Sequence, residues 1–489
     1  MARSFFLRHA LCTVVAVLVA LLLVPLLAPA TVHGAASFVI VNQDAANVGL
    51  NDPTPAAPVG GNPGTTLGQQ RLFAYQRAAE IWGAVLNSPV PIQVGASFDP
   101  LTCTATSAVF SRGGPVGWTR DFAGAPLAGT WYPTPLENAL RGVDSDLASV
   151  DMAVGVNRDL GQPGCFAGIP FYLGLDGNHG SAVDLVAVLL HEFAHGLGFT
   201  TRTDATGALM SGFPTVFDLF LFDTTLGLSW PQMTDAQRAA SAVSRRKLVW
   251  AGSNVGAAVP SVLQIGTPEL QATAPVSLAD TYPVGTATFG PPLNSSGLGG
   301  EVMPVVDQPD GTGLACTPLS AINTLAVNGK VALVDRGTCT FALKAKNVQN
   351  AGAIGAIIVD NVVAPVPPGL GGADPTVTIP SVSIINADGN AFKSALRFRS
   401  RARSGVLVTM RFNTATYAGT DAAGRMVMWT PNPPTFGFPP FSSGVSIVHW
   451  DWSATPNLLM EPDISGNLTH SVNVPQDLTL AALRDLGWP

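Results

Sequence analysis

Residues 181–197 constrain this chain more than any other segment. Leu185-Val-Ala-Val-Leu-Leu190 is apolar on nearly every side, so as a helix it must be deeply buried. Ser181, with Asp184 three places on, has the form of a capping box at its start, and Gly196 and Gly198 mark its end. Directly after the apolar run come His191, Glu192 and His195, carried into the same interior. Buried polar groups without partners are costly, so this helix needs something for them to hold.

Histidines at i and i+4 lie one above the other on one helix face. Their imidazoles can bind one Zn²⁺ at about 2.0–2.1 Å each. Glu192, beside the first of them, can take a proton from a water that the ion acidifies. The chain has 7 His and six Glu among its 489 residues. Random order would give this pattern about once in 1000 such sequences. The bland alternative is two core histidines and a paired glutamate.

The surroundings favour an exported, turn-rich protein. Only 12% of residues are charged, and 51 Gly with 40 Pro argue for short strands and many turns rather than a helical bundle. The length suits two or three domains. The formal charge is −7 and no run of Lys or Arg stands out, so a nucleic-acid partner is not expected. Arg3 and Arg8 precede an apolar run from Ala10 to Leu27, and small residues follow, which reads as a signal peptide over 1–36. The rival is an uncleaved anchor. Cleavage would remove two arginines and leave a chain near −9, with no second stretch able to span a bilayer. Secretion, outside the cell or into a periplasm, then permits disulfides. Of the three pairings open to Cys103, Cys165, Cys316 and Cys339, sequence proximity favours Cys103–Cys165 and Cys316–Cys339.

Local patterns place a strand at 38–41, a helix at 66–86, a strand at 91–94 and a helix at 231–248. The second helix ends in Arg245-Arg246-Lys247, expected to be a solvated terminus. The texture turns to Gly/Pro-rich strands near 270 and back near 413, and a last helix spans 477–486.

The stretch His191-Glu-Phe-Ala-His-Gly-Leu-Gly198 resembles the metzincin metalloproteases. In most of that clan the third zinc ligand lies three residues after the glycine, where this chain has Thr201, which has no imidazole. His449, in Ser446-Ile-Val-His449-Trp450, followed by Met460 in Asn457-Leu-Leu-Met460-Glu461-Pro462, is similar to the leishmanolysin branch. There an insertion precedes the third histidine and a Met-turn follows it. The resemblance implies His191, His195 and His449 as zinc ligands, Glu192 as general base, and Met460 as the floor of the site. His179, His470 and Asp204 are competing ligands; His470 is expected to be exposed and His179 to be a satisfied turn histidine. No Tyr follows Met460 to stabilise an oxyanion.

The run from Gly329 to Asn361, with Asp335-Arg336-Gly337, Cys339 and Ala351-Gly352, resembles the protease-associated (PA) domain, with a later strand at Ile379–Ile384. Asp335 and Arg336 read as a turn ion pair. The implied architecture is α+β: a metzincin-like catalytic domain over 37–269 and 413–489, split by a β-rich α/β PA insertion at 270–412. The implied function is a secreted zinc endopeptidase acting on proteins or peptides. Two other readings stay open: a polypeptide-binding protein on an inactive frame, and a zinc protease with Glu269 or Glu301 as third ligand. Calcium is a second conceivable cation, and no motif supports it. A cysteine switch at Cys103 or Cys165 likewise lacks a motif, and Asn294 and Asn467 begin glycosylation sequons.

Overall fold

The computed structural model describes residues 35–306, 313–430, 441–442 and 444–489. The expected signal segment lies outside these, apart from Ala35 and Ala36, which already pair with Asn87 and Leu86. Among the described residues no helix is long and apolar enough to cross a membrane.

The protein is mixed α/β. Strands β1 (Phe38–Asn42), β2 (Ile92–Asp99), β3 (Ser111–Pro115) and β4 (Met152–Asn157) form a sheet in the order β1-β2-β4-β3. β1, β2 and β4 run parallel, with Phe38 beside Ile92 and Val94 beside Met152. β3 is the antiparallel edge, Ser111 facing Val156. Parallel neighbours need a crossover, and α1 (Leu67–Gly83), capped by the Thr66 side chain, provides the one between β1 and β2. Its buried face carries Ala74, Tyr75, Ala78 and Trp82. The Trp82 indole donates to the Leu190 carbonyl of α2 (Leu185–Gly196), 3.1 Å away.

All twelve residues of α2 are buried, as its composition requires. Its cap differs from the expectation: Asp184, not Ser181, is the N-cap, and its Oδ1 accepts from the Val186 and Ala187 amides. The chain is extended up to Asp184, so Ser181 lies a turn too early to reach free helix donors.

The core around α2 joins distant parts of the sequence. It runs through residues 36–263, stops, and resumes with Met426, Met428, Ile447, Trp450 and Met460. Between these lies a second lobe with its own buried clusters. Its strands are β5 (Ile265–Ala274), β6 (Asp280–Pro283), β7 (Gly285–Thr286), β8 (Leu298–Pro304), β9 (Val331–Asp335), β10 (Gly355–Val359), β11 (Ser381–Ile384) and β12 (Leu407–Tyr417). They form one sheet in the order β6-β5-β12-β8-β9-β10-β11-β7. β8 to β11 are parallel, and the long β5–β12 pair is antiparallel. Ile265 pairs with Tyr417, so the lobe begins and ends about five residues outside the expected 270–412. Cys103–Cys165 and Cys316–Cys339 are bonded.

Three local expectations need correction. The helix at 231–248 is only Asp235–Ser241, and residues 248–250 form a short strand. Arg245-Arg246-Lys247 is not a solvated terminus: Arg245 pairs with Asp388, Arg246 with Asp280 at 3.5 Å and Asp388 at 3.7 Å, and Lys247 with Asp280 at 2.7 Å. Asp280 and Asp388 belong to the second lobe, so this cluster fastens one lobe to the other. Asp335 and Arg336 are not a pair: Asp335 binds Lys393 and Arg336 binds Asp360, because neighbours on a strand end point apart. Since the Asp388 carboxylate is almost wholly buried, Arg245→Ala is expected to cost about 2 kcal/mol in urea denaturation, and Arg245→Ala/Asp388→Ala less than the sum of the single changes.

Candidate metal centre

Burial and chain direction bring three imidazoles together. His191, His195 and His449 have Nε2 atoms 3.1, 3.2 and 3.2 Å apart, and all three side chains are buried. Among the described residues they form the one group of three or more His, Cys, Asp or Glu able to hold a metal.

The other ring nitrogens decide the chemistry. His191 Nδ1 lies 2.7 Å from the Leu459 carbonyl, His195 Nδ1 2.8 Å from that of Phe199, and His449 Nδ1 2.7 Å from that of Val445. A carbonyl only accepts, so each Nδ1 carries the hydrogen and donates it. Each Nε2 is then a bare lone pair, and three lone pairs face one another at about 3 Å. These contacts cannot be hydrogen bonds between neutral rings; they repel unless a cation sits among them. A tetrahedral ion with bonds of about 2.05 Å has ligand atoms about 3.3 Å apart. The residues therefore fit Zn²⁺, and the carbonyls play the orienting role of outer partners. Burial pushes the His191 imidazole down to about 3 and His195 to about 4, and His449 well below its ordinary value, so all three stay neutral as ligands must.

Each carbonyl comes from a specific turn. Gly198 has φ of +120°, a conformation open to glycine, and the chain reverses there so that Phe199 turns its oxygen back to His195. Leu459 belongs to the turn ending in Met460, which is fully buried and whose carbonyl accepts from the Trp450 amide. The Trp429 ring stands edge-on to His449, 6.0 Å between centroids.

Glu192 faces the edge strand β3. Its Oε1 accepts from the Ser111 hydroxyl of β3 at 2.5 Å. Burial raises its carboxyl to about 7, with the Ser111 hydrogen bond acting in opposition. β3 passes close over the helix here: a Cβ on Gly113 would lie 2.6 Å from the Glu192 carbonyl oxygen and 2.7 Å from its Oε2. Ser111 and Gly113 have no signal in the sequence, since a serine and a glycine on an edge strand belong to no spacing pattern.

The competing ligands are occupied elsewhere. Thr201 donates to Asp218 at 2.5 Å. His179 bonds the carbonyls of Ala182 and Gly466. Asp204 holds its own turn at Thr206 and Ala208. His470 is not exposed as expected: its Nε2 lies 2.7 Å from Asp184 Oδ2, because the C-terminal segment returns over the start of α2. Glu269 is held by Arg411 and Asn413, and Glu301 by Lys330 and the Ser404 and Gly405 amides, which removes both as third ligands.

Glu461, next to Met460, is also buried, and burial first, with Asp463 and Asp451 adding, raises its carboxyl to about 9. Between pH 4.5 and 9 the folded state keeps a proton that the unfolded chain has lost, so stability falls as pH rises through that window. Glu461→Gln keeps the acceptor that binds the Leu458 amide and removes the titration. Its stability relative to the parent is expected to improve by on the order of 3 kcal/mol between pH 4.5 and pH 8 in chemical denaturation.

Residues 300–392 match the PA domain family. Curated relatives align over similar short spans. ER degradation-enhancing alpha-mannosidase-like protein 3 of Xenopus laevis is 36% identical over 121 residues, 23% of this chain and 13% of that protein. Probable lipoprotein aminopeptidase LpqL of Mycobacterium tuberculosis is 37% identical over 102 residues, 21% of this chain and 19% of that protein. The matched segments thus span less than a fifth of those relatives. Among solved structures, the zinc aminopeptidase BSAP from Bacillus subtilis is 21% identical, covering 32% of this chain and 36% of that one, with a TM-score of 0.23.

Proposed function

We propose that the chain is a secreted zinc-dependent endopeptidase of metzincin type, similar to the leishmanolysin branch, with a PA domain inserted into its catalytic part. The observation that carries this is the convergence of three Nε2 lone pairs, two of them from the helix that also carries the buried Glu192. His191, His195 and His449 would hold the ion. When bound, Zn²⁺ would supply a Lewis acid that polarises a peptide carbonyl and acidifies water.

The protein's own groups would do the rest. Glu192 has a carboxyl near 7, balanced between taking a proton from water and giving it to the leaving amine. Ser111 fixes Oε1, which leaves Oε2 for the proton. Gly113 keeps β3 close over the helix, so the carboxyl has little room to turn away. The three Nδ1–H···O=C bonds hold the rings in one orientation, so little reorganisation accompanies the reaction. The test is cleavage of casein or gelatin, abolished by a chelator and restored by zinc. A purified, zinc-loaded protein that cuts neither would refute the reading.

A further inference from the structure

The acidic composition hides a basic turn. Arg397, Arg399, Arg401 and Arg403 occupy alternate positions just after α-helix Asn386–Leu396, so no two are adjacent and they form no run in the sequence. Ser400 folds the segment back by bonding the Arg403 carbonyl through its amide and hydroxyl, which gathers the arginines at one turn. Arg397, Arg401 and Arg403 are exposed, and among the described residues none of the four has an ion-pair partner. Arg399 spends one donor on the Leu396 carbonyl. The nearby acids are committed: Glu301 to Lys330, and Asp335 to Lys393.

Beside this turn is a groove of about 320 Å³ with Arg399 and Arg401 on its rim. Its apolar lining includes Met303, Val306, Ile322 and Leu325. Ile322 is 68% exposed and Leu325 79%, both on helix Ala321–Val327, while Met303 at the floor is 1% exposed. Phe398 on the turn is 91% exposed. An isolated exposed apolar side chain needs no explanation, but two lining one groove, with arginines that have no ion-pair partner on its rim, mark an interaction surface. The buried Met303 gives the groove an apolar base on which one inserted side chain can rest.

We propose that the Arg397–Arg403 turn and this groove bind an acidic polypeptide segment that places one apolar side chain in the groove and carboxylates on the arginines. The arginines offer forked donors that match carboxylates, and the groove supplies an anchor that charge alone does not. The surface lies in the second lobe and uses none of the residues of the metal centre.

The test uses the full chain carrying Glu192→Gln, so that a bound peptide is not cut, and fluorescence anisotropy of a labelled Glu-Glu-Leu-Glu-Glu peptide. Saturable binding that weakens with added salt is expected. Arg399→Glu/Arg401→Glu should weaken it at least about tenfold, and a Glu-Glu-Ser-Glu-Glu peptide should bind about tenfold less tightly. Undiminished binding to the double variant, or equal binding of a Lys-Lys-Leu-Lys-Lys peptide, would overturn the proposal. So would arginine-dependent retention on phosphatidylserine vesicles without peptide binding. None of these outcomes depends on catalysis, so each can be told apart from failure of the peptidase reading.

Discussion

Glu192→Gln should reduce kcat on a protein substrate by about 10³-fold or more, while zinc stoichiometry stays at that of the parent protein. General acid–base groups contribute about 10²–10⁴-fold, and under the proposed function one carboxyl would serve for both proton transfers. Glutamine keeps the shape, and its amide oxygen can still accept from Ser111, so the helix and β3 stay in register. The three ring nitrogens are untouched, since each is oriented by a backbone carbonyl rather than by Glu192. Relief of a buried titratable group should, if anything, stabilise the fold at pH 8. A protein with unchanged activity would remove Glu192 from the reaction. Equal inactivity of parent and variant, both loaded with zinc, would favour a binding protein on an inactive frame.

His449→Ala is the second large effect. Two ligands from one helix turn would remain, with the third corner of the triangle open. Loss of an outer partner of a zinc ligand typically weakens binding by about 10–100-fold, so loss of the ligand itself should exceed about 100-fold. Metal content after dialysis against a competing chelator measures this directly. His470→Ala and His179→Ala are the controls, because their ring nitrogens are bound to Asp184 and to backbone carbonyls. Both should keep a full complement of zinc. Unchanged zinc content and activity in His449→Ala would refute its role.

How much of this could be read from residues alone varies with the range of the interaction. His191, Glu192 and His195 were legible because a helix fixes their relation within one turn. His449 lies 254 positions from His195, and only the short inventory of histidines together with the resemblance singles it out. The second lobe was visible in its strand–helix–strand texture, and its edges were misplaced because β5 and β12 pair beyond the apolar runs. Arg245-Arg246-Lys247 looked solvated because its partners, Asp280 and Asp388, lie far along the chain. Ser111 was invisible for the same reason, being an ordinary serine until an edge strand sets it against Glu192. The four arginines after Leu396 escaped notice for a different reason, since alternation dilutes a cluster in sequence that a tight turn restores in space.

His191 and His449, which meet at the metal centre, are separated by 258 positions in sequence, and the chain between them includes the whole second lobe. A cation held there would tie off that loop as a crosslink does, stabilising the fold chiefly by restricting the unfolded chain. The knot lies in the first lobe, so a cut in an exposed connection of the second lobe would give two fragments with nothing to release them. Nicked protein should migrate as one species in native conditions and as two after denaturation and reduction of the Cys316–Cys339 disulfide, and removing the cation should loosen the join between the fragments before either one unfolds.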